Sequence, residues 1–254
     1  NNSIYSALLS PQGKYLHEFF IIHVDKGYLI DCDNKSKEDL ISNLSKYKLR
    51  SKVDLKDLSS GYVIGVINLE KFNEIQSEIG KTTDTLIYRE SSIFIDPRKK
   101  KLGARILSSL EKLYLTIKKL NLKIIDNSKY FNHAHDLGIP EKGLINLKGQ
   151  LFGLEANFEE LNAIDFKKGC YVGQENTARM KLKNKIRRRL LAVKTDGEIK
   201  IGEDLNFGKI KIGKILINSP HPFALIKLFD PDFSEFKDKE LNCGNATVKI
   251  INNY

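Results

Sequence analysis

The segment Lys167–Met180 reads K-K-G-C-Y-V-G-Q-E-N-T-A-R-M. Its cysteine, Cys170, sits between Gly169 and Gly173 and follows Lys167 and Lys168. A helix is expected to start near Gly173. Ammonium groups and a helix N-terminus both favour thiolate over thiol, and the thiolate is the nucleophile and the metal ligand. Lys168 and Arg179 are then the groups that tune or orient Cys170. Gly169 and Gly173 permit positive φ or a close backbone approach. Gln174 and Glu175 fall in the first helical turn, where hydrogen bonds from them can fix the segment. The competing reading is a tight turn around a small buried thiol. His17, His23, His133, His135 and His221 all lie far from Cys170 in sequence, so a base for it must come from spatial proximity.

The other cysteines are Cys32 and Cys243, and none of the three stands in a C-x-x-C pair. Three thiols cannot complete a four-thiolate zinc or iron–sulfur site, so no resident metal is expected. Sparse, unpaired cysteine suits a reducing compartment. The chain has 254 residues, with 42 Lys+Arg against 32 Asp+Glu and a net charge of +10. Only eight of the cations are arginine, which fits a lysine-rich composition bias as well as an anionic partner. A second basic cluster, Lys181, Lys183, Lys185 and Arg187-Arg188-Arg189, follows the cysteine segment directly. It reads either as a solvated face or as a patch that steers an anion. Asp96–Lys101 invites the same two readings. No RNP-type aromatic motif or helix-turn-helix is evident, so direct nucleic-acid binding is not supported.

The elements that must position these groups read as α+β. Residues 13–33 form a hairpin around Asp25-Lys26-Gly27. Ser36 caps a helix through Tyr47. Strands are expected at Lys52–Leu55, Tyr62–Ile67, Ile93–Ile95 and Gly103–Leu107, with a helix over Leu69–Ile79. That order suits a ferredoxin-like unit. Residues 110–138 contain helix, ending at Gly138-Ile139-Pro140. Beyond Arg188, short apolar runs at Leu190–Val193, Lys209–Ile212, Ile215–Ile217, Phe223–Leu228 and Thr247–Ile251 suggest a small all-β barrel or sandwich. The longest apolar runs, Phe19–Ile22 and Tyr62–Ile67, are too short to span a bilayer, and no signal peptide is visible.

The run Lys168–Glu175, K-G-C-Y-V-G-Q-E, resembles the signature of the YgfZ-type folate-binding proteins, a branch of the glycine-cleavage T-protein fold. Its mitochondrial relatives are iron–sulfur cluster assembly factors. Supporting segments are L-L-S-P-Q-G at Leu8–Gly13, Y-K-L-R-S-K-V at Tyr47–Val53, D-P-R at Asp96–Arg98 with L-G-A-R at Leu102–Arg105, G-I-P at Gly138–Pro140, the Glu155–Phe166 stretch, and I-G-K at Ile212–Lys214. The resemblance covers nearly the whole chain. It implies a three-lobed ring with a folate in the central hole. Residues 1–45 and 110–185 would make a split first lobe, 46–109 a ferredoxin-like lobe and 186–254 a C-terminal β-barrel. About one strand and one helix of the family's N-terminal region are expected to precede Asn1.

On this resemblance the cofactor is tetrahydrofolate or a derivative, contacted by Glu18, His17, Tyr171 and Arg187. Two positions depart from the pattern. His17 replaces the first of two carboxylates that T-proteins carry, and an imidazole supplies no permanent negative charge. Ala134 replaces an arginine, with His133 and His135 beside it. The leading expectation is a tetrahydrofolate-binding protein that supports iron–sulfur cluster assembly or repair, and through it tRNA modification. A folate-dependent aminomethyl transferase and an RNA-binding module are the alternatives. Expected partners are folate and iron–sulfur assembly proteins or client enzymes, without a membrane. The expected location is the bacterial cytoplasm, or the mitochondrial matrix in a eukaryote.

Overall fold

The computed structural model describes residues 3–183 and 186–251. Their contacts gather into two units. The first holds residues up to Ser6, His17–Ile125 and Leu161–Ala163; the second holds Ala7–Leu16, Asp126–Glu160 and everything from Ile164. A three-stranded sheet runs β1 (Ser3–Leu9), β2 (Tyr15–Val24), β3 (Gly27–Asp31), and helix α1 (Lys37–Lys48) follows it.

In the first unit, β4 (Val63–Ile67), β5 (Thr85–Tyr88), β6 (Ser91–Ile95) and β7 (Ala104–Ser108) form an antiparallel sheet in the order β4-β7-β6-β5. Helix α2 (Leu69–Glu78) starts where the Asn68 side chain accepts from the Lys71 amide at 3.0 Å. Its Phe72 and Ile75, three residues apart, pack with Leu86, Ile93 and Ile106 from the strands. Helix α3 (Leu110–Lys119) adds Leu113 to this core.

Phe94, on the sheet's other face, sets its ring 5.9 Å from that of Phe20. The D-P-R and L-G-A-R residues meet at the same aromatic. Arg98 donates to Asp96 Oδ1 and Oδ2 at 3.0 and 2.7 Å, and Arg105 donates to Asp31 at 2.6 Å. The two guanidinium carbons lie 4.8 and 4.5 Å from the Phe20 ring centre. Asp96, Arg98 and Arg105 are all buried, so each charge needs its partner. These motif residues therefore build a core.

In the second unit, β8 (Arg188–Thr195), β9 (Asp204–Phe207), β10 (Ile210–Ile217), β11 (Phe223–Lys227), β12 (Leu241–Cys243) and β13 (Ala246–Ile250) close a barrel in the order β10-β11-β8-β13-β12-β9. Alternate residues such as Leu191, Val193, Ile212, Ile226, Leu241 and Val248 fill it. Before the barrel come α4 (Ser128–Asp136) and α5 (Gln174–Leu182). The short helix Phe233–Phe236, α6, starts in a capping box at Asp232 and adds Phe236 to the barrel core.

Three expectations change. The two runs Lys209–Ile212 and Ile215–Ile217 are one strand, β10, kept continuous by irregular pairings at Lys211/Gly213 and Ile215/Ile217. Strands β1, β5, β9 and β12 were not foreseen; the last three are four residues or fewer, too short to show a pattern. Lys52–Leu55 is not a strand in the structure, because no neighbour pairs with it. Gly103 gives a direct check on the first unit. Its φ is +90°, and an added Cβ would lie 2.1 Å from Ile67 O. Gly103→Ala should cost about 2–4 kcal/mol of stability in urea unfolding.

Candidate functional site

The second unit brings the L-L-S-P-Q-G turn onto the start of α5. The turn closes through Gly13 N–H to Ser10 O at 2.8 Å, while the Ser10 hydroxyl accepts from the Gln12 and Lys14 amides at 3.2 Å. Gly173, the N-cap of α5, has φ +84°. A Cβ there would sit 2.5 Å from Ser10 O and 3.0 Å from Gly13 Cα. A Cβ on Gly13, whose φ is +79°, would sit 3.2 Å from both Gly173 O and Thr177 Oγ1. The two glycines thus face each other closely: a side chain on Gly173 clashes with the turn backbone, and one on Gly13 is strained by its positive φ and tightly packed. Buried Thr177 donates from Oγ1 to Gly173 O at 2.9 Å, and Asn176 donates to Gln12 O at 3.0 Å.

Cys170 lies on the exposed loop three residues before this N-cap. Gln174 Oε1 accepts from the Tyr171 amide at 3.1 Å and ties the loop to the first helical turn. Lys168 Nζ stands 4.9 Å from the centre of the half-buried Tyr171 ring. Burial, with Asp165 adding to it, raises the Tyr171 phenol above its ordinary value. Three residues differ from expectation. Gly169 has no positive φ, and open space surrounds its missing Cβ, so the backbone does not require glycine there. Arg179 donates to Asn176 one turn back, so its partner is the residue that holds the turn. Glu175 is exposed and has no hydrogen bond or ion pair among the described residues.

The other thiols occupy different settings. Burial pushes Cys243 up to about 11, helped by Glu203, whose Oε2 lies 3.6 Å from the sulfur. Burial also raises Cys32, which the carboxylates of Asp31, Asp33 and Glu18 reinforce and a hydrogen bond from Ser36 opposes. Both are held as thiols at neutral pH. Cys170 is the exposed one of the three.

Half of the basic cluster is neutralised inside the second unit. Arg188 Nη2 lies 2.8 Å from Glu155, Arg189 pairs with Glu160 at 2.5 Å and with Asn157 Oδ1 at 3.1 Å, and Lys181 pairs with Glu159 at 2.5 Å. Lys183 and Arg187 are exposed and make no ion pair among the described residues; Lys185 lies outside them. The acidic run Glu155–Glu160 was missed as the basic run's partner. Its matching charges were the available signal. Asn176 was missed as well, since nothing in the sequence marks which turn it reaches.

In the first unit His17 is buried, with Nε2 3.1 Å from Asp39 Oδ2 and 3.3 Å from Asn43 Nδ2. It is committed to helix α1. Glu18 follows on the opposite face of β2, half-buried, beside Cys32. His133 is exposed on α4. His135 is buried, stacks on His221 at 4.8 Å and places Nε2 3.0 Å from Pro222 O. It joins α4 to the loop before β11.

Gly173→Ala should lower stability by about 2–4 kcal/mol, through positive φ and the clash with Ser10 and Gly13. Gly169→Ala should change it by less than about 0.5 kcal/mol in the same urea titration. Burial, with His221 adding to it and the Pro222 carbonyl opposing, holds His135 below its ordinary value. The neutral ring therefore stabilises the fold above about pH 6.5, the unfolded value. That contribution is lost as pH falls from there toward the lower native value, because the unfolded chain then binds the extra proton. The urea midpoint should drop between about pH 7.5 and 5.5, and drop less in His135→Gln.

No protein-family model matches the chain. It is 30% identical over 197 residues to the mitochondrial iron–sulfur cluster assembly factor IBA57 homolog of Mycosarcoma maydis, covering 75% of this chain and 45% of that protein. The mouse mitochondrial factor IBA57 is 28% identical, over 77% of this chain and 54% of its own length. The homolog of Dictyostelium discoideum is 27% identical, over 76% and 52%. The chain thus spans about half the length of the curated relatives it matches. Glycine cleavage system aminomethyltransferase T from Bartonella henselae superposes with a TM-score of 0.70 at 12% identity, over 99% of this chain and 76% of that one. The chain is a homologue of the mitochondrial IBA57 iron–sulfur cluster assembly factors, relatives of the YgfZ-type proteins, and it carries the T-protein fold.

Proposed function

We propose that the chain supports iron–sulfur cluster assembly through Cys170 and binds a reduced folate beside the signature loop. The observation that carries this reading is the contrast among the thiols. Cys170 alone is exposed, on a loop anchored by Gln174 and by the Gly13–Gly173 contact, while burial holds the other two protonated. A single thiolate supplies one ligand to a cluster in transit, and an assembly partner or client enzyme supplies the rest. The cluster is cargo in this reading.

The donor set of the second unit suits the folate's anionic tail. Lys183 and Arg187 carry charge that no carboxylate among the described residues neutralises, and Tyr171 offers a half-buried ring for stacking. Bound there, a reduced folate would bring its one-carbon chemistry to the site. Aminomethyl transfer is the weaker reading. It calls for a carboxylate where His17 stands, and His17 is bound to Asp39. RNA binding is weaker still, because half of the basic cluster is already paired. The mitochondrial relatives favour the matrix as the site of action if the chain is eukaryotic, and tRNA modification would follow from the iron–sulfur enzymes served.

The test is rescue of iron–sulfur enzyme activity in cells lacking their own assembly factor. The native chain and Cys243→Ser should restore activity, and Cys170→Ala should not. Full rescue by Cys170→Ala would remove the role given to that thiol.

A further inference from the structure

The loop that carries Cys170 and the exposed side of α5 leave both charge and apolar surface uncovered on the second unit. Phe166, Lys167, Lys168 and Cys170 are exposed on the loop, and Arg179, Leu182 and Lys183 are exposed along α5 and just past its end. Lys167, Lys168, Arg179, Lys183 and Arg187 make no ion pair among the described residues, and the partner of Arg179 is the neutral Asn176. The exposed carboxylates on the same segments are Asp165 and Glu175. Asp165 turns back on its own loop and accepts from the Lys167 amide at 2.7 Å. The nearby Glu159 is taken up by Lys181.

Apolar side chains lie within this cationic surface. Phe166 is 38% exposed and Leu182 is 86% exposed. Lys181, which precedes Leu182, sets its Nζ 5.9 Å from the Phe166 ring centre, so the end of α5 and the start of the loop meet. Lys168 packs on the ring of Tyr171, the residue that follows the thiol. Helix α5 has nine residues and is about 13 Å long. Thiol, cations and apolar side chains are thus spread along a face longer than one small anion covers. Apolar contact ringed by charge is the anatomy of a protein interface.

Given Cys170 as a cluster ligand, the reading on which this rests, we propose that this face docks an acidic protein that presents its own thiols opposite Cys170. A thiolate-ligated cluster is itself anionic, so Lys167 and Lys168 attract the cargo as well as the carboxylates around it. Such rim cations act mainly on the rate of encounter, and salt weakens them. Phe166 and Leu182 supply the contact that salt does not screen. Lys183 and Arg187, beyond the end of α5, are shared with the folate tail.

Thiol–disulfide exchange at Cys170 reads this face on the full chain, without folate. The probes are short peptides whose single cysteine is activated as a mixed disulfide with thionitrobenzoate. The Cys170 thiolate attacks the peptide sulfur, a new disulfide forms, and thionitrobenzoate leaves with the electron pair. Mass spectrometry follows the adduct at Cys170. A peptide flanked by aspartates should react at least about tenfold faster than one flanked by lysines at low salt, and the ratio should fall toward one at about 0.5 M salt. Lys167→Glu with Lys168→Glu should reverse the preference. The ratio compares two probes on one thiol, so a change in the thiol's own reactivity cancels. An acidic peptide carrying leucines should outpace one carrying serines by about threefold, and lose that lead in Phe166→Ser with Leu182→Ser. Equal rates for acidic and basic peptides, or a preference unchanged by the lysine reversal, would overturn the proposal. So would the absence of a leucine advantage, which would leave a surface for simple polyanions such as a nucleic acid. These rates stand apart from the rescue assay, whose failure would instead remove the cluster role of Cys170.

Discussion

The contact between Gly13 and Gly173 is the constraint on which the candidate site depends. Each residue holds a positive φ, and a side chain on Gly173 would be driven into the backbone of Ser10 and Gly13. Two glycines 160 residues apart are thereby bound into one steric unit. Thr177 and Asn176 lock it with hydrogen bonds to Gly173 and Gln12. The start of α5 is fixed by this packing, and Cys170 leaves it on a loop short enough to inherit its position. The segments L-L-S-P-Q-G and K-G-C-Y-V-G-Q-E are two halves of one piece of geometry.

Charge in the second unit follows a similar economy of pairing. The run Glu155–Glu160 lies against β8 and the end of α5 and takes up Arg188, Arg189 and Lys181. Asn157 reinforces the seam by donating to Leu190 O at 2.6 Å. A cluster that looks in sequence like one anion-binding patch becomes a structural seam with Lys183 and Arg187 left over. In the first unit, Arg98 and Arg105 are likewise absorbed by Asp96, Asp31 and the Phe20 ring. The count of 42 Lys+Arg therefore overstates the cationic surface available to a partner, because several of them are taken up by these pairs.

Much of this was legible in the sequence, for identifiable reasons. The Leu69–Ile79 helix carries a cap, a helical period and a glycine stop, and the structure ends it within one residue of that reading. The terminal barrel was legible from its alternation and turn residues, except where strands of three or four residues gave too little pattern. The Gly169–Gly173 pair looked symmetrical in sequence and is not, because the constraint on Gly173 comes from a turn 160 residues earlier. The partners of His17 and His135, Asp39 and His221, were not legible, because nothing in the local sequence shows that they meet.

The most direct measurement of the central claim is timed alkylation of the native chain, with each cysteine followed by mass spectrometry, with and without saturating tetrahydrofolate. The account predicts that Cys170 labels fastest, that Cys243 labels only on unfolding, and that tetrahydrofolate slows Cys170 selectively. Slow labelling of Cys170 in the free chain, or a Cys170 rate indifferent to tetrahydrofolate, would contradict it.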